Sequence, residues 1–134
     1  MIIGLGIDIV DIARFAQWHT YTHARLARIF TEQEVEYCLS NRAKSAERFA
    51  VRFAAKEAFF KALSSAAPVH RIPLLTVCAA VGIDRNDDGS PSLAINWAAL
   101  QKASLAPLPT HTMPLVSLSH TKTLATACVI LQTK

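Results

Sequence analysis

A chain of 134 residues has the length of one domain that can bury roughly two-thirds of its unfolded surface. Apolar residues make up 51% and charged residues 18%, with four Gly and six Pro, which excludes a disordered chain, a collagen-like repeat and a solenoid array. The net charge of +4 is unevenly placed. Arg14, Arg25 and Arg28 lie in a stretch from Ala13 to Thr31 without an acid, and Arg42, Lys44, Arg48, Arg52 and Lys56 have only Glu47 among them. Two basic surfaces attract an anionic partner, and charge alone does not choose between nucleic acid, a phosphorylated small molecule and an acidic protein.

In chain order, Ile2 to Val10 alternates as a strand: Ile3, Leu5, Ile7 and Ile9 share one face, and Gly4, Gly6, Asp8 and Val10 share the other. The two glycines open room for close approach on the face of Asp8, so the strand is predicted to be central with both faces occupied. Asp11 stands where the N-cap of a first helix belongs, and that helix breaks near Thr20 to Thr22. Thr31 with Glu34 forms a capping box, which predicts a short helix from Glu32 to about Leu39. Ser45 to about Leu63 is the strongest helical signal and reads as a long buried helix carrying Phe49, Phe53 and Phe60. Ser64 to Pro73 has loop composition, Leu74 to Ile83 reads as a strand, Asn86 to Gly89 as a turn and Ser92 to Trp97 as the returning strand. Pro107 to Pro114 reads as a loop, and Leu115 to Leu118 and Ala125 to Leu131 as a closing hairpin joined through Ser119 to Thr123. These elements add up to a single α+β domain.

Glu57 and Lys61 are spaced i, i+4 on the long helix, with Phe53 one turn before them. An acid among Phe53, Ala54, Ala58 and Phe60 suits a solvent face poorly. One reading is a surface ion pair worth a few tenths of a kcal/mol. The other pairs Glu57 with Asp8, the helix covering the glycine-lined strand face. Two carboxylates, with remaining positions left to water and phosphate, are what magnesium takes, and Lys61 and Arg52 nearby would suit a pyrophosphate. His120 lies at a strand-to-turn junction, where side chains are often exposed for function, although a structural hydrogen bond is the commoner role. His19, His23, His70 and His111 lack metal-ligand spacing. Cys38, Cys78 and Cys128 are odd in number and widely spaced, fit neither a disulfide framework nor a zinc cluster, and read as core residues of a protein in a reducing cytoplasm. The longest apolar run, Leu74 to Ile83, is about half a bilayer span, so a membrane span is not expected. The phosphate-binding, dinucleotide-binding and nucleophile-elbow glycine motifs are missing.

Four segments together resemble the small bacterial 4'-phosphopantetheinyl transferases, the holo-acyl-carrier-protein synthases. They are Gly6-Ile7-Asp8-Ile9-Val10, Arg28-Ile29-Phe30-Thr31, Arg52 to Ala58 with Lys61-Ala62-Leu63, and Ser117-Leu118-Ser119-His120-Thr121. The resemblance runs from end to end in the same order and implies a small antiparallel-type sheet packed with a long helix. It also implies magnesium-dependent transfer of the phosphopantetheine arm from coenzyme A to a serine of apo acyl carrier protein, releasing adenosine 3',5'-bisphosphate in support of fatty acid biosynthesis.

By position, the resemblance implies that Asp8 and Glu57 hold magnesium on the coenzyme A pyrophosphate and that Lys61 contacts the phosphates. Arg52 and His120 would lie in or beside the coenzyme pocket, with Lys44 and Arg48 as further cations for it. The base that takes the serine proton stays open among Glu57, a metal-bound water and His120. The family assembles as trimers with sites at subunit interfaces, which implies a homotrimer here. Arg14, Arg25 and Arg28 would steer the acidic carrier protein, with Trp18 as an apolar anchor. Gly89-Ser90-Pro91 fits the family's turn. Ser64 replaces the usual glycine after Leu63, Ser64 to Ile83 lacks other family glycines, and Ala98 to Pro114 is longer than usual.

The rival readings are a nucleic-acid module using the basic surfaces, an inactive relative, and a pyrophosphate hydrolase. Aromatics at 7% that sit in apolar helix patterns rather than between basic strand residues disfavour the first, and Asp8, Glu57 and Lys61 together disfavour the second.

Overall fold

The computed structural model describes residues 1–134. Strand β1 (Ile2–Asp11) is followed by two 3-10 turns, Ile12–Phe15 and Trp18–Thr20, and by the one-turn helix α1 (His23–Leu26). Next come α2 (Glu32–Leu39), a 3-10 turn at Arg42–Lys44 and the long helix α3 (Ser45–Ala66). The second half comprises α4 (Leu74–Ala79), a hairpin of β2 (Val81–Arg85) and β3 (Pro91–Ile95), α5 (Trp97–Ala103), and a closing hairpin of β4 (Thr112–His120) and β5 (Leu124–Thr133). No helix is long and apolar enough to cross a membrane.

The α+β architecture follows from α3. Ala50, Ala54, Ala55, Ala58 and Ala62 let neighbours approach from several sides, while Phe49, Phe53, Phe59 and Leu63 fill the core between them; each such large side chain contributes roughly 1.5–3 kcal/mol when fully buried. The helix lies on the sheet face that carries Gly4, Gly6 and Asp8. A Cβ on Gly6 would overlap the Ala58 carbonyl oxygen, and one on Gly4 the Ala62 carbonyl oxygen. Only glycine lets β1 approach the helix backbone so closely.

The order β1-β5-β4, antiparallel throughout, corrects the expectation for β1. It is an edge strand and β5 is the centre, because the two long C-terminal strands pair with each other and leave one β5 edge for β1. Its isoleucine face is not covered: Leu5, Ile7 and Ile9 are exposed and share the outer face with Met113 and Leu115 of β4.

Three further expectations are revised. Asp11 ends β1 and makes no side-chain cap, and the chain turns through 3-10 segments instead of one helix. Thr22, inside the expected break, caps α1 by accepting from Arg25 N. Leu74 to Ile83 is not one strand but α4 followed by β2. Pro73 precedes the helix, and the buried Lys56 ammonium donates to the Cys78 and Val81 carbonyls at the point where helix gives way to strand. The Pro107 to Pro114 loop stops short, since β4 begins at Thr112 and takes in Pro114, which an edge strand tolerates. The capping box of Thr31 and Glu34 forms as expected. Ser64 remains helical, and its hydroxyl meets His70 Nε2 at 2.9 Å.

Candidate active site

Asp8 projects from β1 toward α3, and Glu57 reaches it from one turn of that helix. The Asp8 side chain is 8% exposed, and its Oδ1 accepts from Lys61 Nζ at 3.0 Å. Lys61 also donates to the Ile7 carbonyl at 3.0 Å. Asp8 Oδ2 is buried without a hydrogen-bond donor. With both acids ionised the two carboxylates repel, and they bond only when one holds a proton. Burial, that bond and the Asp8 charge push the Glu57 carboxyl up from 4.5 to about 7, while Lys61 and Arg14 pull it down. No group of three His, Cys, Asp or Glu side chains gathers to hold a metal; the corner offers its two carboxylates.

A cleft of about 540 Å³ lies elsewhere, between α2, the start of α3, the β2–β3 hairpin and the end of β4. Lys44, Arg48, Arg52, Arg85 and His120 line it. The Arg48 and Arg52 guanidinium groups stand 4.0 and 4.3 Å from the centre of the Tyr37 ring, and Arg48 Nη1 donates to the Tyr37 carbonyl at 2.7 Å. Arg52 Nε is buried without a partner. Across the cleft, Glu47 Oε1 lies 3.3 Å from His120 Nε2, and its Oε2 lies 4.0 Å from Lys44 Nζ.

Asp8, Glu57 and Lys61 thus meet, as in the reading that pairs Glu57 with Asp8, and Lys44, Arg48, Arg52 and His120 share the cleft. The two sets do not meet. Arg52 and Glu57 are five residues apart on α3, roughly 140° around the helix, and neither Asp8 nor Glu57 lines the cleft. The expectation that Arg52 sits beside the carboxylates therefore fails within one chain.

The model of the 4'-phosphopantetheinyl transferase superfamily matches residues 4–114. The chain is 39% identical to a holo-[acyl-carrier-protein] synthase of Geobacter sulfurreducens, with 98% of both chains covered. It is 41% identical to the synthase of Treponema denticola, over 98% of this chain and 99% of the other. Among solved structures, it is similar to the holo-(acyl-carrier-protein) synthase of Bacillus anthracis in complex with CoA (3',5'-ADP), with TM-score 0.75, 28% identity, and 100% and 99% of the two chains covered. The chain belongs to the 4'-phosphopantetheinyl transferase superfamily.

In this transferase the basic N-terminal segment is partly committed to its own core. The Arg14 guanidinium stands 4.9 Å from the Phe53 ring centre and is close enough to Glu57 to lower its pKa. Trp18 is half-buried against Phe15, Tyr21, Phe30, Phe49 and Phe53, so only its outer part is open to solvent. The Arg25 guanidinium lies 3.7 Å over Tyr21, and both Arg25 and Arg28 are exposed. Sequence reasoning missed Tyr37, Glu47, Asp84 and Arg85 in the cleft. The i, i+3 spacing of Lys44 and Glu47 was visible, but nothing local links Glu47 to His120.

Proposed function

We propose that this transferase moves the 4'-phosphopantetheine arm of coenzyme A onto a serine of apo acyl carrier protein at the corner of Asp8, Glu57 and Lys61, with magnesium held by the two carboxylates. The observation that carries the reading is the Asp8 carboxylate, buried, with one oxygen lacking a donor and Glu57 against it. Such a pair calls for a cation, and two carboxylates with water and phosphate completing the shell fit magnesium. Magnesium bound there supplies charge neutralisation on the pyrophosphate. Lys61, on a half-exposed flexible stem, can exchange Asp8 for a phosphate oxygen. In the transfer the serine oxygen bonds to the pantetheine phosphorus, the bond to adenosine 3',5'-bisphosphate breaks with its electron pair, and the serine proton leaves to a base. Cations that stabilise the migrating negative charge are the main requirement.

The cleft side chains Lys44, Arg48, Arg52 and His120 suit the phosphates at the adenosine end. Because the cleft and the carboxylates face different ways around α3, one coenzyme molecule engages the corner of one copy and the cleft of the next. The exposed apolar row of Leu5, Ile7, Ile9, Met113 and Leu115 supports such self-association, and a homotrimer gives three equal sites. The acidic carrier protein docks on Arg14, Arg25 and Arg28 with the outer part of Trp18, and the product serves fatty acid biosynthesis in the cytoplasm.

Intact-mass spectrometry of apo acyl carrier protein with this chain, coenzyme A and magnesium tests the reading. A gain of one phosphopantetheine, lost in Asp8→Ala, is the expected result. A gain that survives Asp8→Ala moves the site elsewhere, and no gain with a folded sample removes the activity.

A further inference from the structure

Asp8 has one strong partner, Lys61, whose ammonium is 3.0 Å from Oδ1 and is also held at 3.0 Å by the Ile7 carbonyl. A divalent cation on the same carboxylate sits about 2.1 Å from its oxygen, which brings a double and a single positive charge to within a few ångströms, where they repel strongly. Lys61 is 52% exposed along its side chain and Asp8 only 8%, so the lysine is the member that can leave. Its alternative partner is a phosphate oxygen, which a bare metal ion does not bring and coenzyme A does. Resting on the reading of Asp8 and Glu57 as the metal carboxylates, we infer that Lys61 and the divalent cation are rivals for Asp8. The coenzyme pyrophosphate ends that rivalry by drawing Lys61 away, so metal and coenzyme A bind synergistically. Linkage then requires that the metal tighten coenzyme A by the same factor as coenzyme A tightens the metal.

The test uses manganese as the probe, with the free ion read by electron paramagnetic resonance and corrected for manganese held by coenzyme A alone. Wild type is expected to bind manganese weakly alone and roughly tenfold more tightly with coenzyme A, within the usual range of such couplings. Adenosine 3',5'-bisphosphate, which keeps only the adenosine-side phosphate of the pyrophosphate, gives a smaller gain. Lys61→Gln binds manganese alone roughly tenfold more tightly than wild type and gains little from coenzyme A. Lys61→Arg keeps the charge and stays near wild type, which separates removal of the cation from damage to the fold. Unchanged or weaker manganese binding by Lys61→Gln overturns the inference. Asp8→Asn separates the two levels: if it binds manganese like wild type, the metal reading itself falls, whereas its loss of binding alongside an unaffected Lys61→Gln defeats only the rivalry.

Discussion

Helix α3 carries two acid–lysine clusters that begin on adjacent residues and have opposite character. At Lys56 every demand is met: the ammonium, fully buried, lies 2.7 Å from Glu34 Oε1 and also donates to the Cys78 and Val81 carbonyls. Glu34 Oε1 accepts from Thr31 N, and its Oε2 accepts from Ile83 N. Burial lowers the Lys56 pKa and Glu34 opposes that shift. At Glu57, one residue on, two carboxylates press together, one oxygen has no donor, and the lysine is half in solvent. The satisfied cluster ties α2, α3, α4 and β2 into one body, and the unsatisfied one is left with unmet affinity for a ligand.

The comparison breaks if the two clusters respond alike. The largest expected effect is on transfer: Asp8→Ala or Glu57→Gln lowers the rate by about 1000-fold or more, about 4 kcal/mol, while the thermal midpoint shifts little, as mass spectrometry and calorimetry would report. Next, Lys56→Met strands the Glu34 charge and costs about 3–5 kcal/mol of stability in urea unfolding. Pairing it with Glu34→Leu recovers part of that loss; without recovery, the pair is not the origin of the cost. Arg28→Glu raises KM for the carrier protein by about tenfold with KM for coenzyme A nearly unchanged, whereas Arg14→Glu, beside Glu57, affects both.

The smallest effect is on pH dependence. Folded Glu57 holds its proton to about 7, and an ordinary glutamate loses it near 4.5. Between those values the folded state binds more protons than the unfolded one, so the contribution is complete below about 4.5 and stability declines as pH rises toward about 7. Solvent around this partly exposed group keeps the slope shallow. Asp8→Asn should flatten the urea midpoint across that window, and an unchanged slope would assign the shift to burial alone.

Local features were legible and long-range ones were not. The capping box of Thr31 and Glu34 could be read from four residues, but the second task of Glu34, holding Lys56, depends on α2 and α3 packing together. Gly4, Gly6 and Asp8 on one strand face announced a close neighbour, and the neighbour is α3. That β1 is an edge strand could not be read, because the outward isoleucine row resembles a covered face. Leu74 to Ile83 misled because an apolar run suits helix and strand alike; Pro73 and the reach of Lys56 decide where it changes. Asp8, Glu57 and Lys61 were found by face and spacing, while the separation of Arg52 from them is a matter of helical phase that motif reading passes over. The pairing of Glu47 with His120 could not be read, because His120 comes from the far end of the chain.

Lys56 and Glu57 share a peptide bond, so the residue that pins the core and the residue proposed to complete the site cannot be moved independently. The site has no hinge of its own. Heating at protein concentrations that keep the copies assembled should therefore abolish activity and helical signal along one curve, and any adjustment to ligands is left to side chains such as Lys61.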